Sequence, residues 1–476
     1  MQHPTAEPRA TAHNQNASPP SLAHEAWLTL RLSGPLVLAQ LAVMAIALID
    51  TVMMGWLGPR ELAGGALANN LLFPLYLFGM GVVIAVAPIV AQELGARQYR
   101  GVRRTVRQGF WVAILFGVLF SLVLWHGGAI LRAFGQEAEN TVLAQEYLRW
   151  AVWGFTPSLG FVVLRSFLTA HARPRAILVV ALTAVGLKAL GNYALMFGNF
   201  GFPALGLVGA GIMTSVTHTA MFLGLLVFVL RERRFRRYAI AVRFWKADWP
   251  RFREILRIGF PIGLAILAES AFFAFASIMM GWISTAALAA HAIAVQCAAT
   301  AFMVPLGVSQ AATVRVGFVA GAGDPVAVGR AGWVAIALGG AATLIPAVLF
   351  LAIPRDIVGL FLDLARPENQ PVLTLAVVFL GVAALFQLMD GTQVIAAGCL
   401  RGLKDTQVPS AIAVFSYWVI GLGSSYLMGF YLGWEGRGVW LGLAVALTVV
   451  AVLMILRFHL RDRFVRIGAP RPAEAL

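Results

Sequence analysis

The sequence predicts an all-α integral membrane protein of twelve transmembrane helices, built as two homologous six-helix bundles. Three observations predict it: an apolar composition, twelve long apolar runs and an internal repeat. Of 476 residues, 60% are hydrophobic and only 12% are charged. Soluble domains carry roughly 45–50% and about 25%. With a mean hydropathy of +0.81, this balance excludes a soluble enzyme, a nucleic-acid-binding domain and a disordered chain.

Taken in order, residues 1–26 are polar and lack an apolar signal core, so they are expected to form a cytoplasmic N-terminal tail. Apolar runs follow at approximately 27–57, 62–92, 107–131, 144–170, 174–198, 204–230, 254–280, 286–317, 328–353, 371–400, 408–431 and 436–459. A helix needs about 20 apolar residues to cross a bilayer. The runs are too long, and alternate too little, for a β-barrel. The domains expected are an N-lobe at 27–230, a basic cytoplasmic linker at 231–253, a C-lobe at 254–460 and a cytoplasmic tail at 461–476.

Loop charges give the orientation. The net charge is +15. Arg97, Arg100, Arg103, Arg104, Arg107, Arg173, Arg175, Arg330, Arg401, Lys404 and Arg457 sit on one side with the Arg-rich linker. On the other side, Arg60, Arg132, Arg355, Arg366 and Arg437 stand mostly beside acids. Positive segments stay inside, so both termini are expected in the cytoplasm. The linker is expected to be a stop-transfer and lipid-headgroup stretch. Cys297 and Cys399 lie in apolar runs and read as packing residues.

The repeat relates the halves. Pro35 recurs as Pro261, MMGW at 53–56 as MMGW at 279–282, Gly81 as Gly307 and Gly95 as Gly321, all at an offset of 226. Six helices per half is an even number, so both halves share one orientation. Their pseudo-twofold axis then runs along the membrane normal, as in parallel-repeat transporters.

Ionisable groups inside apolar runs are costly and mark cavities or partners. Asp50, Lys188, Glu269 and Asp390 are such groups, in the first, fifth, seventh and tenth runs. The halves differ chemically, since Asp50 corresponds to Ala276 and Glu269 to Val43. Each carboxylate is either a structural partner or a site that exchanges protons and offers a counter-charge to a cation. Lys188 is expected to pair with Asp50 rather than snorkel. His291 reads as a packing histidine or a proton-linked one, and His218 as structural. Asn192 and Gln393, with Asn69, Asn70 and Gln296, are interhelical glue or cavity lining. Phe and Met in the seventh and eighth runs pack, or form a wall for flat cations. Prolines such as Pro35, Pro88, Pro157 and Pro261 give shape or hinges.

No phosphate-binding GxxxxGK[ST], no HExxH and no nucleophile–base pair occurs. No enzyme activity, catalytic residue, metal site or cofactor is therefore expected.

IDTVMMGWLG at 49–58 with ELAGGALANN, APIVAQELGA at 87–96, LGNYALMFGNFGFPALGLVGAGIMTS at 190–215, GFPIGLAILAES at 259–270 and FQLMDGTQVIAAGCLRGLKDT at 386–406 carry a resemblance. The chain resembles the multidrug and toxic compound extrusion (MATE) family, in its NorM-type bacterial branch. The resemblance spans roughly 30–460. It implies a V-shaped monomer in the bacterial inner membrane that exports organic cations against inward H⁺ or Na⁺. The family's carboxylates fall on Asp50, Glu269 and Asp390. Of its two asparagines four apart in the fifth helix, the second falls on Asn192, while Lys188 replaces the first. A lysine ammonium there takes the place of a bound cation. Phe386 stands where sodium-coupled relatives can carry Tyr. Both departures favour H⁺ over Na⁺. The partners implied are small organic cations and membrane lipids, with no nucleic acid. The alternatives are a lipid-linked oligosaccharide flippase of related fold, which needs a basic cavity, and a membrane scaffold without transport. Three acids and one lysine as the cavity candidates disfavour the flippase.

Overall fold

The computed structural model describes residues 21–240, 242, 244–465 and 467. Among them, twelve helices are long and apolar enough to cross a membrane. They are α1 Leu22–Leu57, α2 Pro59–Gly95, α3 Tyr99–Trp125, α4 Ala138–Ala170, α5 Pro174–Phe197, α6 Leu207–Arg231, α7 Trp249–Ile283, α8 Thr285–Gly321, α9 Pro325–Ala352, α10 Pro367–Gly402, α11 Gln407–Tyr431 and α12 Glu435–His459. Each apolar run of the sequence overlaps one of them.

Several boundaries differ from the sequence reading. The polar tail ends sooner than expected, because α1 already includes residues 22–26. Ser21 caps it by accepting a hydrogen bond from the His24 amide. Residues 1–20, 466 and 468–476 of the two expected tails lie outside the described residues. Arg461–Phe464, expected in the C-terminal tail, is one short helical turn. Arg100, Arg103, Arg104 and Arg107 belong to the first turns of α3 rather than to a loop. Two helices are interrupted ahead of a proline. α2 breaks near Ile84 and Ala85, and α4 tightens at Val152–Gly154. Each break precedes a proline, Pro88 or Pro157. Proline offers no N–H to the carbonyl four residues back and its ring crowds that carbonyl.

Two apolar cores form, one in α1–α6 and one in α7–α12. The first half of α7 crosses the boundary: Ile255, Ile258 and Ile262 pack into the first core. The lobes meet closely in the half of the bundle that holds the Arg-rich segments, here called the basic end. Gly95 lies against the Phe318 carbonyl, and Gly321 against the Gln92 carbonyl. These two contacts are mates under the 226 offset. A Cβ at either glycine would overlap a backbone carbonyl, so the repeated glycines are interlobe contact points.

Buried ion pairs add to this seam. Glu25 of α1 receives two hydrogen bonds from Arg315 of α8, at 2.9 and 2.7 Å. Glu93 of α2 lies 2.6 Å from Arg251 of α7.

The linker docks on the first lobe instead of lying free among headgroups. Phe235, Tyr238 and Ile240 are buried in that lobe's core. Trp111 and Gln108 of α3 donate to the carbonyls of Phe244 and Lys246. Arg104 pairs with Asp248. The linker's apolar residues at 235, 238 and 240 supply a buried face that its high charge conceals in the sequence.

Candidate functional site

The expected Asp50–Lys188 pair forms inside the first lobe. Lys188 and Asn192 stand one turn apart on α5, so both reach the same face toward α1. Lys188 is 0% exposed and Asp50 is 7% exposed. Lys188 Nζ lies 2.8 Å from Asp50 Oδ2. It also donates to Thr214 Oγ1 at 2.7 Å and to the Ala210 carbonyl at 3.5 Å, both on α6. Asn192 Nδ2 donates to Asp50 Oδ1 at 2.8 Å. Tyr147 of α4 closes the cluster, 3.1 Å from Thr214 Oγ1. The ammonium therefore has one carboxylate and two neutral oxygens around it, a set of hard oxygen donors that suits a cation. Its charge balances Asp50, which makes burial of both tolerable.

The sequence reading missed Thr214 and Tyr147. Hydroxyl residues are common in membrane helices, and nothing local separates these two from the rest.

In the second lobe, Glu269 and Asp390 are held by neighbouring elements but are not in the same position. Gln393 Nε2 of α10 donates to Glu269 Oε1 of α7 at 3.3 Å. Asp390, one turn earlier on α10, is buried, and its Oδ1 has no hydrogen-bond partner among the described residues. Gln387, a further turn back, is also buried with both amide atoms unpartnered. Ser416 Oγ and Trp440 Nε1 are in the same condition. Unmatched buried polar groups at this density call for water or exchangeable protons. Ser416 and Tyr417 lie in a π-helical segment of α11, Ser416–Gly421, a local widening frequent at functional sites. His291 of α8 approaches Ser277 Oγ at 3.1 Å and sits against the Trp440 ring. It is therefore a packed histidine beside this polar group, with Nδ1 unpartnered.

A cavity of about 340 Å³ lies between the lobes. Glu269 and Gln393 line it, with Phe73, Met80, Phe302 and Met303 among its apolar wall. The expectation that its wall carries three acids and one lysine is corrected. Asp50, Lys188 and Asp390 lie outside the wall, while Arg165 and Arg401 lie in it. The reason is helix rotation. Asp50 and Lys188 face each other within the first lobe, and Asp390 faces the interior of the second. Phe302 and Met303 face the cavity, whereas Phe272, Met279 and Met280 are packed in the second core.

A family model described as MatE matches residues 35–194 and 261–427. The chain is 48% identical over 437 residues to the probable multidrug resistance protein NorM of Mesorhizobium japonicum, covering 91% of this chain and 94% of the relative. It is 39% identical over 458 residues to the multidrug resistance protein NorM of Burkholderia vietnamiensis, covering 96% and 98%. The eukaryotic MATE transporter AtDTX14 superposes with a TM-score of 0.82 at 20% identity, over 94% of this chain and 99% of that one. An outward-facing multidrug resistance MATE family transporter superposes with a TM-score of 0.84 at 19% identity, over 92% and 96%. The twelve-helix fold in two lobes and the match over both halves agree: the chain is a multi-pass membrane protein of the MATE family, a family of multidrug transporters and not of enzymes.

Proposed function

We infer that this protein is a secondary active antiporter that exports lipophilic organic cations in exchange for inward protons, by alternating access between its two lobes. One observation carries the choice of proton: the Lys188 ammonium already occupies the oxygen cluster of Asp50, Thr214 and the Ala210 carbonyl. A sodium ion would have to displace a covalently held cation there.

In this reading the basic end faces the cytoplasm, as the positive-inside rule requires. Both termini are cytoplasmic, and the protein acts as a monomer in the bacterial inner membrane. The lobes meet at the basic end, and the proposed cycle starts from a state whose cavity is open to the opposite, outer side. Protons entering from outside neutralise Glu269 and Asp390, and a bound cation loses its counter-charge and leaves. The seam at the basic end then parts and the other end closes. Loss of the protons to the cytoplasm restores the carboxylates, and Glu269 in the cavity wall attracts the next cation. Asp390 acts one turn from Gln393, the group that bonds Glu269. Asp50 stays with Lys188 as a fixed pair. No cofactor takes part.

The test is ethidium transport in proteoliposomes under a pH gradient alone, then under a sodium gradient alone. Transport driven by pH supports the proposal. Transport driven only by sodium overturns the choice of coupling ion.

A further inference from the structure

A second cavity, of about 350 Å³, lies in the first lobe between α3, α4, α6 and the linker. Ile114, Gly160, Leu226 and Leu230 belong to its wall, and Ile240 and Phe244 of the linker add to it at the basic end. Thr156 is the one polar residue of that wall among the described residues. Ile114 and Leu230 are exposed, so the cavity opens sideways on an apolar surface of the lobe. Left empty, it forfeits the contacts of its wall. The repeat offers a contrast. Trp111 corresponds to Trp333, so Phe110 of the cavity wall corresponds to Gly332. Gly332 lies against the Phe458 ring of α12, so an aromatic side chain covers that place in the second lobe.

Cations gather at the basic end of this cavity. α6 ends at Arg231, next to Leu230, and residues 231–237 read RERRFRR, with five arginines and one acid. Phe235, Tyr238 and Ile240 turn into the lobe, while Arg233, Arg234, Arg236 and Arg237 stay exposed. The start of α3 shares this place, since Tyr99 meets the Tyr238 ring at 6.2 Å and the Arg237 guanidinium at 4.7 Å. Arg103 lies one turn beyond Tyr99, on the α3 face that carries Phe110 and Ile114. Its Nε is buried without a hydrogen-bond partner. Arg103, Arg231, Arg233, Arg234 and Arg236 have no carboxylate within ion-pair distance among the described residues.

Guanidinium forks match a phosphate. A basic cluster immediately beyond a transmembrane helix attracts anionic lipid. The same charges repel a lipophilic cation, which argues against a transported cation as the occupant.

We propose that this cavity is a binding site for one anionic phospholipid from the leaflet at the basic end. An acyl chain fills the apolar space, and the phosphate is held by the arginine cluster, Arg103, Arg233 and Arg234 among it. The lipid thereby ties the linker to α3 and α6. The site is separate from the interlobe cavity and independent of the coupling ion.

The test counts lipids bound to the purified full chain in a mild detergent by native mass spectrometry. The probes are dioleoylphosphatidylglycerol and dioleoylphosphatidylcholine. The first phosphatidylglycerol is expected to bind about tenfold or more tightly than phosphatidylcholine, since each basic residue near an anionic headgroup contributes about fivefold. In the double variant Arg233→Gln/Arg234→Gln the preference is expected to fall below about threefold. Both arginines are exposed, so this variant keeps the packing of the lobe. Leu226→Trp fills the cavity and leaves every charge in place, and it is expected to abolish the tight first event. Ile114→Trp, at the exposed rim, makes the same test should Leu226→Trp fail to fold.

Equal binding of the two lipids by the wild type overturns the proposal, as does a preference that survives the arginine double variant. A preference retained in the filled variants assigns the lipid to the linker surface alone and overturns the cavity site. Tetraphenylphosphonium is expected not to displace phosphatidylglycerol. Displacement would assign the cavity to lipophilic cations and overturn the lipid assignment. An error in the export reading shows separately, as failed ethidium transport, and leaves these counts untouched.

Discussion

Arg251 of α7 lies 2.6 Å from Glu93 of α2, and it is the repeat counterpart of Glu25, which pairs with Arg315 of α8. Both lobes thus place an ion pair at the start of their first helix, with acid and base exchanged between the halves. Arg251 also bonds Glu254 at 2.7 Å, and Lys404 bonds the same Glu254 at 2.7 Å. The seam at the basic end is therefore a network of charges with little access to water. Separation of the lobes must break it.

That network predicts coupling between Glu93 and Arg251. Contacting residues in one ionic network show interaction energies of about 0.5–3 kcal/mol. Glu93→Gln and Arg251→Gln should each lower the denaturation midpoint of the purified protein. The double variant should lose less than the sum, because no lone buried charge remains. A cycle that closes to zero would remove the pair from any role in holding the seam.

Lys188→Asn should change the ion dependence. The substitution removes the ammonium and leaves Asp50 facing two amides and Thr214. Transport at fixed pH should then gain stimulation by sodium of about threefold or more, since a difference near 1 kcal/mol suffices. The measurement is dye export in proteoliposomes with and without sodium. Unchanged ion dependence would make Lys188 a structural substitute only.

Glu269→Gln and Asp390→Asn should each reduce pH-driven export by about tenfold or more, as expected when an essential group is lost. Cation binding should fall more in the Glu269 variant, because Glu269 lines the cavity and Asp390 does not. Wild-type transport rates in both variants would sink the coupling assignment.

Docking of the linker should depend on pH. His171, in the turn between α4 and α5, bonds the Phe167 carbonyl through Nδ1 and the Tyr238 hydroxyl through Nε2, both at 2.8 Å. Burial lowers its pKa from 6.5 to about 4; the Phe167 carbonyl opposes the shift and nearby Arg237 adds to it. The docked state therefore holds a neutral ring and binds fewer protons than the undocked state. Its stability is full above about pH 6.5 and falls as pH drops toward about 4. Hydrogen exchange at residues 235–240, corrected for intrinsic rates, should rise over that interval. His171→Asn should flatten the dependence, and a pH dependence that survives it would assign the effect to another group.

The sequence by itself determined the class of fold, because apolar length is a local property and a bilayer admits few solutions. The span count, the duplicated halves and the Asp50–Lys188 pairing were all legible in residue order. Asn192 was legible too, since a spacing of four on a helix fixes a shared face. The tertiary structure decided which polar groups share a space. Asp390 and Glu269 both lie inside apolar runs, but only Glu269 reaches the cavity, because helix rotation is set by packing against neighbours. Arg165 and Arg401 stand near the ends of α4 and α10, where an arginine reads as an ordinary basic end residue. Only the meeting of the lobes turns both toward one cavity. Glu25 and Arg315 are 290 residues apart, and no local pattern connects them. Their pairing follows from the close approach that the repeated glycines permit between backbones.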